Sequence, residues 1–271
     1  MSKTSEKEKP EVPSMKVVGL VSGGKDSMFN LLKCKQHGHE IVCLANLAPF
    51  NDCETDSYMY QSVGHECVEY IAKVMGLPMI RRKIQGTPRC VGKDYITDEA
   101  DEVEDLYTLL HAVKDQYPDI QGVSVGAIAS TYQKTRVEHV CERLGLTMLA
   151  YLWGADQKEL LQEMLNNQME AITIKIACCG LNQSHLGQSL RDLQPTLLKV
   201  HEKYGAHICG EGGEYETLVI NCPSLYQESL HIKEAESVLH SDDPSAPVYY
   251  LNLEMEEPSV TYDPNGITWV V

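Results

Sequence analysis

The chain is organised around a strand that runs into a glycine turn. The apolar run Val17–Val21 stops at Ser-Gly-Gly-Lys-Asp-Ser, residues Ser22–Ser27, and a helical pattern begins at about Asp26. The paired glycines Gly23 and Gly24 can adopt positive φ and let the backbone approach a bound group. The N–H groups of such a turn, with a helix dipole behind them, bind anions. The sequence therefore predicts a phosphate-binding loop at the carboxyl end of the first strand.

Three side chains of this loop add to the anion site. Ser22 and Ser27 supply hydroxyl donors, and Lys25 supplies a positive charge. The stretch from Gly19 to Asp26 almost fits the P-loop pattern, but Asp26 stands where that pattern needs a magnesium-binding serine or threonine. The stretch contains no G-x-G-x-x-G pattern either. It is therefore neither a Walker A loop nor a dinucleotide-binding turn.

Composition indicates a globular protein of a reducing compartment. The 271 residues are 43% hydrophobic and 23% charged, which is enough for a buried core. No apolar run is long enough to span a membrane, and the first 14 residues lack the apolar segment of a secretory signal. The ten cysteines contain no C-x-x-C pair. We therefore expect reduced thiols, a cytoplasmic location and no membrane contact.

The formal net charge of −16 bears on the partners that the chain can bind. Nucleic-acid binding depends on lysine and arginine side chains that neutralise phosphates. The acidic balance therefore disfavours stable nucleic-acid binding, although it leaves room for a local basic patch such as Arg81–Lys83.

Short apolar runs alternate with helical patterns in the first part of the chain. Strands are expected at 17–21, 40–46, 79–84, 122–128 and 147–152, and helices at 26–36, 58–75, 99–117 and 132–144. Such alternation is typical of an α/β protein, and it predicts a parallel five-stranded sheet with helices on both faces.

A smaller α/β substrate domain is expected to follow. Its predicted helices are 157–167 and 193–204, and its predicted strands are 171–178, 206–209 and 218–221. The expected division of the chain is a disordered extension 1–14, a phosphate-binding domain 15–152, a substrate-binding domain 153–254 and a tail 255–271.

In a sheet of this kind the ligand lies beyond the carboxyl ends of the strands. The second strand ends at Ala45 and Asn46, which we expect to form a bed for a nucleoside. The fourth strand ends at Gly126, Ala127 and Ile128, where Gly126 lets the backbone approach a ligand.

Two side chains beyond the fourth strand share one face of a predicted helix. Tyr132 and Arg136 are four residues apart. Arg136 can pair with a phosphate or a substrate carboxylate, or it can form a salt bridge with Glu138, with Glu142 or with a neighbouring helix. Spacing alone leaves both interpretations open. Trp153, where the pattern pauses, is assigned to the substrate side.

A second informative stretch, residues 210–217, reads Gly-Glu-Gly-Gly-Glu-Tyr-Glu-Thr. Three glycines and three glutamates make a poor strand, and clustered carboxylates repel one another and shift pKa values. Such a group suits a bound cation, which can be an ammonium, a quaternary ammonium or magnesium. The alternative is an exposed acidic turn.

The loop Ser22–Ser27 resembles the signature of the PP-loop ATP pyrophosphatases. That resemblance implies an adenine nucleotide alpha hydrolase-like (HUP) fold, in which 15–152 is the ATP-binding domain, and cleavage of ATP to AMP and pyrophosphate. Together with this loop, four further stretches resemble the diphthine–ammonia ligase (diphthamide synthetase) family over roughly residues 15–253. They are 56–61, 101–107, 126–128 and 211–217.

The family resemblance implies a reaction and a set of partners. ATP adenylates the carboxylate of diphthine, a modified histidine of translation elongation factor 2, and ammonium supplies the nitrogen that displaces AMP. The acyl-adenylate route yields diphthamide, AMP and pyrophosphate, with ATP and Mg²⁺ as cofactors. The trimethylammonium group of diphthine is a cation of the kind that the acidic stretch suits.

The resemblance also implies roles for individual residues. The residues expected to hold ATP are Ser22, Gly23, Gly24, Lys25, Ser27, Ala45, Asn46, Gly126, Ala127 and Ile128. The expected catalytic residues are Lys25, Asp26, Glu211, Glu214 and Glu216. The expected substrate-binding residues are Tyr132, Arg136, Trp153, Gly212, Gly213, Tyr215 and Thr217. Asp26 either orients the magnesium ion or caps the first helix.

Two other functions are compatible with the loop. A PP-loop tRNA-modifying enzyme uses the same ATP chemistry, but the charge of −16 and the lack of a C-x-x-C pair count against it. A non-catalytic ATP-binding sensor would bind ATP without releasing pyrophosphate, and it would leave residues 211–217 without a role.

Overall fold

The computed structural model describes residues 13–50, 59–61, 63–243, 246–263 and 265–271. The N-terminal extension is predicted to be disordered, and its residues 1–12 lie outside the described ones. Positions 56–58 of the family-like stretch also lie outside them. Within the described ranges, no helix has both the length and the apolar character needed to cross a membrane.

Ten strands and six α-helices make up the described regular structure. The strands are β1 Lys16–Leu20, β2 Glu40–Ala48, β3 Met79–Lys83, β4 Gly122–Ser124, β5 Thr147–Leu149, β6 Glu170–Ile176, β7 Tyr215–Asn221, β8 Ile232–Ser241, β9 Val248–Met255 and β10 Ile267–Val270. The helices are α1 Lys25–Gln36, α2 Val68–Met75, α3 Glu102–Gln116, α4 Thr131–Leu144, α5 Gln157–Asn166 and α6 Leu190–Tyr204.

The first sheet is parallel throughout, with strand order β10-β3-β2-β1-β4-β5. Its centre is buried on both faces, since Val17 and Val18 of β1 point to opposite sides and neither is exposed. The predicted α/β class with a parallel sheet is confirmed. The sheet has six strands, however, because β10 from the predicted tail 255–271 pairs with β3.

The second sheet is antiparallel, with order β7-β6-β9-β8. The strand predicted at 206–209 is wrong, because this segment is a turn between Gly205 (φ 73°) and Gly210 (φ 71°). The helix predicted from residue 58 begins later, since Gly64 (φ 76°) leads into a short 3₁₀ turn before α2. Left-handed glycines end regular structure at each of these places.

One apolar core joins the two sheets. Residues of α1 and α2 cover one face of the first sheet, and the same cluster continues through α5, α6 and the second sheet. A second cluster fills the space between the opposite face and helices α3 and α4. The carboxyl ends of β1, β2 and β4 therefore lie next to the start of β7.

A buried amide fixes α1 on the first sheet. The Asn30 side chain is not exposed, and its Nδ2 donates to Ser124 Oγ (2.8 Å) and to the Leu149 carbonyl (2.7 Å). Its Oδ1 accepts from the Tyr151 N–H at 2.7 Å. One side chain thus ties the helix behind the phosphate loop to β4 and β5.

Asn30→Ala should destabilise the protein by about 2–4 kcal/mol, because it leaves buried partners unsatisfied and opens a small cavity. Urea unfolding measures the change. Asn166→Ala, at an exposed position on α5, is the control and should change stability by less than about 0.5 kcal/mol. Equal midpoints for the two variants would contradict the role assigned to Asn30.

Candidate active site

A cavity of about 510 Å³ opens where the first sheet meets the start of β7. Most of the predicted site residues line it: Ser22, Gly24, Lys25, Asp26, Ser27, Ala45, Asn46, Gly126, Ala127, Tyr132, Glu211, Gly212, Gly213, Tyr215, Glu216 and Thr217. The predicted residues that do not line it are Gly23, Ile128, Arg136, Trp153 and Glu214. The structure therefore brings together the two glycine-rich stretches, which are far apart in the chain.

Hydroxyl groups shape the phosphate loop from inside. The Ser22 N–H donates to Ser27 Oγ (3.3 Å), and Ser27 Oγ donates to the Gly24 carbonyl (3.0 Å). Gly23 adopts a φ of 88°, in the left-handed region that glycine tolerates. The result is a compact turn at the N-terminus of α1 whose hydroxyls and N–H groups suit an anion.

Strand β7 holds the phosphate loop from outside. The Lys25 N–H donates to Thr217 Oγ1 at 3.0 Å, and the Val219 N–H donates to the Gly23 carbonyl at 2.9 Å. Thr217 is buried, so its hydroxyl serves this contact. The loop conformation therefore depends on a strand of the second sheet.

Gln61 was missed by the sequence prediction, and it links the same two elements. Its Oε1 accepts from Ser22 Oγ (3.3 Å), while its Nε2 donates to the Thr217 carbonyl (3.2 Å). Met59 and Tyr60 line the cavity beside it. The available signal was their place inside the family-like stretch 56–61.

Lys25 carries the positive charge at the centre of the site. Its side chain is buried, and Nζ donates to Asp26 Oδ2 (2.9 Å) and to the Cys209 carbonyl. Burial opposes the charged form, but the Asp26 carboxylate together with Tyr215 and Cys209 outweighs it and raises the pKa of Lys25. The Lys25 ammonium group is therefore charged at neutral pH. Its hydrogen bond to the Cys209 carbonyl also connects the phosphate loop to the turn before β7.

Asp26 does not cap α1. The cap position is Gly24, and Asp26 lies in the first turn of the helix. Its Oδ1 is buried and has no hydrogen-bond partner among the described residues. Mg²⁺ is commonly held by one or two carboxylates together with substrate phosphates. This single free oxygen fits such an ion, and within the described ranges no group of three or more metal-ligating side chains is present.

Gly126 is required by packing against the phosphate loop itself. A Cβ at this position would lie 2.5 Å from Ser27 N and 2.6 Å from Asp26 C. The sequence argument assigned the close approach to a ligand. The structure instead shows that the backbone of β4's end approaches the first turn of α1.

The strand end predicted to form a nucleoside bed is fixed by a buried polar pair. Asn46 Nδ2 donates to the Val21 carbonyl (2.9 Å), and Arg81 Nε donates to Asn46 Oδ1 (2.9 Å). Arg81 also donates to Glu69 and lies 4.6 Å from the ring of Trp269. Asn46 thus joins the ends of β1 and β2, and strand β10 supports it from behind.

The three glutamates do not form an open cation-binding cluster. Glu211 Oε1 accepts from three successive N–H groups after β4, and Glu214 accepts from His207 N (2.6 Å) and Gly212 N (2.8 Å). Glu216 pairs with Lys175 at 3.2 Å. Each carboxylate is stabilised by its own donors, which corrects the expectation that all three face a substrate.

Tyr215 is buried within this stretch. Its hydroxyl donates to the Ile208 carbonyl at 2.7 Å, and burial raises its pKa. The neighbouring Cys209 thiol has its pKa raised to about 12, also by burial. Both groups therefore stay protonated, and all nine cysteines in the described part of the chain are free thiols.

Arg136 is an anchor for a long loop. Its side chain is fully buried against the Tyr132 ring, and it donates to the carbonyls of Tyr132 (3.0 Å), Gly92 (3.1 Å) and Cys90. This corrects both interpretations of Arg136, since it does not line this cavity and, among the described residues, forms no ion pair with Glu138, Glu142 or a carboxylate of a neighbouring helix.

Trp153 and Ile128 also have other roles. Trp153 packs against the core of α3 and α4, with Lys134 Nζ 5.4 Å from its ring. The Ile128 N–H donates to Glu211 at 3.0 Å, so it is already engaged. Neither residue contributes to the wall of the cavity.

The fold and the cavity define an α/β enzyme that carries a phosphate-binding loop. The diphthamide synthase N-terminal domain model matches residues 15–148, and the diphthamide synthase C-terminal domain model matches residues 156–258. A Danio rerio protein named diphthine–ammonia ligase is 53% identical over 241 residues, covering 88% of this chain and 94% of the relative. The human protein of that name is 48% identical over 242 residues, covering 88% and 90%.

The chain belongs to the diphthamide synthase family. A Schizosaccharomyces pombe relative named diphthine–ammonia ligase is 49% identical and matches 89% of this chain, but only 39% of its own length is covered. The expectation of a ligase of this family is confirmed, and the sensor interpretation is wrong.

Gly126→Ala should displace the phosphate loop, because an added methyl group meets backbone atoms that cannot yield. We expect a loss of about 1–3 kcal/mol in stability and at least about tenfold weaker ATP binding, by thermal unfolding and calorimetry. Gly92→Ala is the control, since the nearest atom to its Cβ is 3.9 Å away. ATP binding unchanged in Gly126→Ala would refute the packing argument.

Thr217→Val keeps the shape of the side chain and removes the acceptor of the Lys25 N–H. The unsatisfied buried donor should cost about 1–3 kcal/mol. Thr217→Ser retains the hydroxyl and should lose less. Urea unfolding distinguishes them, and a serine variant as unstable as the valine variant would argue against this hydrogen bond.

Proposed function

We propose that this chain catalyses the ATP-dependent amidation of diphthine on translation elongation factor 2. The diphthine carboxylate attacks the α-phosphate of ATP and forms an acyl-adenylate with release of pyrophosphate. Ammonia, derived from ammonium, then displaces AMP and leaves the amide of diphthamide. The reaction is supported by the family membership and by the cavity that the two glycine-rich stretches share.

The single observation that carries the ATP half is the loop Ser22–Ser27 at the floor of the cavity. It offers serine hydroxyls and N–H groups at a helix N-terminus, and the charged Lys25 lies beside them. Such donors stabilise the negative charge that builds on a phosphate under attack. Asn46 and Ala45 at the end of β2 line the adjoining wall, where the nucleoside would lie.

Asp26 would hold a magnesium ion through its free Oδ1. When bound, that ion would offset negative charge on the phosphates of ATP. The other Asp26 oxygen accepts from Lys25 Nζ, so the same carboxylate orients the lysine. In this arrangement, Lys25 and Asp26 form one unit of opposite charges at the start of α1.

The acidic side of the cavity would receive the cationic substrate. The carboxylates of Glu211 and Glu216 also line the cavity, where Glu211 accepts from backbone N–H groups and Glu216 pairs with Lys175. Tyr60 adds an aromatic ring to the lining. Carboxylates and aromatic rings attract quaternary ammonium groups. They would also bind ammonium, which must lose a proton before its nitrogen can attack as ammonia. We place the protein substrate over the open mouth of the cavity.

The division into an ATP-binding part, residues 15–152, and a substrate-binding part, residues 153–254, stays a prediction. So does the cytoplasmic location. Strand β7 contributes to the phosphate loop from the second part, so we propose that the two parts act as one catalytic body. Stable nucleic-acid binding is not expected at a net charge of −16.

Lys25→Met tests the proposed chemistry. The purified variant should form AMP about 100-fold more slowly than the wild type when diphthine-bearing elongation factor and ammonium are supplied, because it lacks the charge beside the phosphates. Chromatography of the nucleotides and mass spectrometry of the factor follow both products.

Lys158→Ala, at an exposed position on α5, is the control and should resemble the wild type. Replacing the factor with tRNA should give no AMP. Wild-type rates of AMP formation in a folded Lys25→Met protein would contradict the role assigned to Lys25. Release of ADP and phosphate by the wild type, with no AMP, would contradict the proposed reaction.

A further inference from the structure

One carboxylate oxygen, Glu211 Oε1, connects two turns that lie beside the cavity. Glu211 Oε1 accepts from the N–H groups of Ile128 (3.0 Å), Ala129 (2.8 Å) and Ser130 (2.9 Å). These three residues form the turn after β4, and Glu211 lies in the turn before β7. The two turns are 81 to 83 residues apart in sequence.

The N–H groups of this turn have no partners within their own helix. They precede α4, whose cap residue Ser130 accepts the Gln133 N–H on its hydroxyl at 3.3 Å and the Lys134 N–H on its carbonyl at 3.0 Å. Groups at this position attract a negative charge, both as donors and through the helix dipole. Glu211 satisfies three of them at once with a charge-assisted hydrogen bond each.

The loop that carries Glu211 is rigid on its own side. Glu214 accepts from His207 N and from Gly212 N, and Gly213 N donates to the Gly210 carbonyl at 3.1 Å. Gly210 and Gly213 have φ values of 71° and 82°, which glycine alone adopts readily. Because these hydrogen bonds fix the loop internally, the contact of Glu211 with the turn after β4 also fixes the position of that turn relative to β7.

The same loop is bound to the phosphate loop through its other end. Lys25 Nζ donates to the Cys209 carbonyl, and the Lys25 N–H donates to Thr217. Cys209 and Thr217 therefore both contact Lys25 of the phosphate loop. Glu211 adds a contact to a second part of the cavity, because the turn that it binds follows directly from Gly126 and Ala127, which line the cavity.

We propose that Glu211 is a positioning residue that latches the loop 209–217 onto the turn after β4 and so sets the width of the cavity. Oε1 is committed to three donors, so this oxygen acts through geometry, while the rest of the carboxylate still lines the cavity. The latch also occupies the N–H groups of Ile128–Ser130, so these groups are not free to hold ATP.

Hydrogen exchange and kinetics on the full chain test the latch. In Glu211→Ala the amides of Ala129 and Ser130 should exchange at least about tenfold faster, while those of β1 stay protected. Glu211→Gln keeps an acceptor oxygen, so its exchange should lie closer to the wild type. Glu236→Ala, an exposed position on β8, removes a charge elsewhere and is the matched control.

The kinetic arm rests on the proposed function. Glu211→Ala should raise the KM for ATP by about tenfold or more, and Glu211→Gln should recover much of that loss. If Glu211→Gln falls as far as Glu211→Ala, with amide exchange unchanged in both, the carboxylate acts chemically and the latch is refuted. Unchanged exchange in Glu211→Ala also refutes it. Exchange is read without turnover, so this result stands even if the wild type shows no ligase activity.

Discussion

The phosphate loop depends on a strand 192 residues further along the chain. Its glycine turn leaves backbone groups without partners, and β7 supplies two of them through Thr217 Oγ1 and the Val219 N–H. A glycine turn loses more conformational entropy than other turns when it becomes ordered, so its fixed shape needs hydrogen bonds such as these. The apolar core is continuous from α1 to the second sheet. The anion site is therefore a property of the assembled fold.

The proposed reaction needs both positive and negative groups in one cavity, because its two substrates carry opposite charges. Phosphates need donors and positive charge, which the N–H groups of the loop and Lys25 supply. A cationic substrate needs negative charge, which the carboxylates of Glu211 and Glu216 in the cavity lining would supply. Lys25 spans the two, since it pairs with Asp26 and also binds the Cys209 carbonyl. Because each charged group has a local partner, the wall can stay acidic without carboxylates repelling one another.

Local sequence pattern was sufficient to predict the α/β class, the loop Ser22–Ser27 and the strand ends that line the cavity. These features follow from the spacing of apolar residues and the positions of glycines within short segments of the sequence. The roles of Glu211 and Arg136 did not follow, because Glu211 accepts from a turn more than 80 residues away and Arg136 binds a loop more than 40 residues away in the chain. Spacing shows that a carboxylate or guanidinium is present, but not which backbone groups it meets. Strand β10 was missed for the same reason, since four residues have no pattern of their own and form a strand only beside β3.

The central claim is that the substrate carboxylate itself attacks the α-phosphate. Diphthine labelled with ¹⁸O in its carboxylate tests this directly in a single turnover with ATP and ammonium. The account predicts that one labelled oxygen passes from the carboxylate to the phosphate of AMP, with none in pyrophosphate. Label in inorganic phosphate, or an amide formed with no label in AMP, would contradict it.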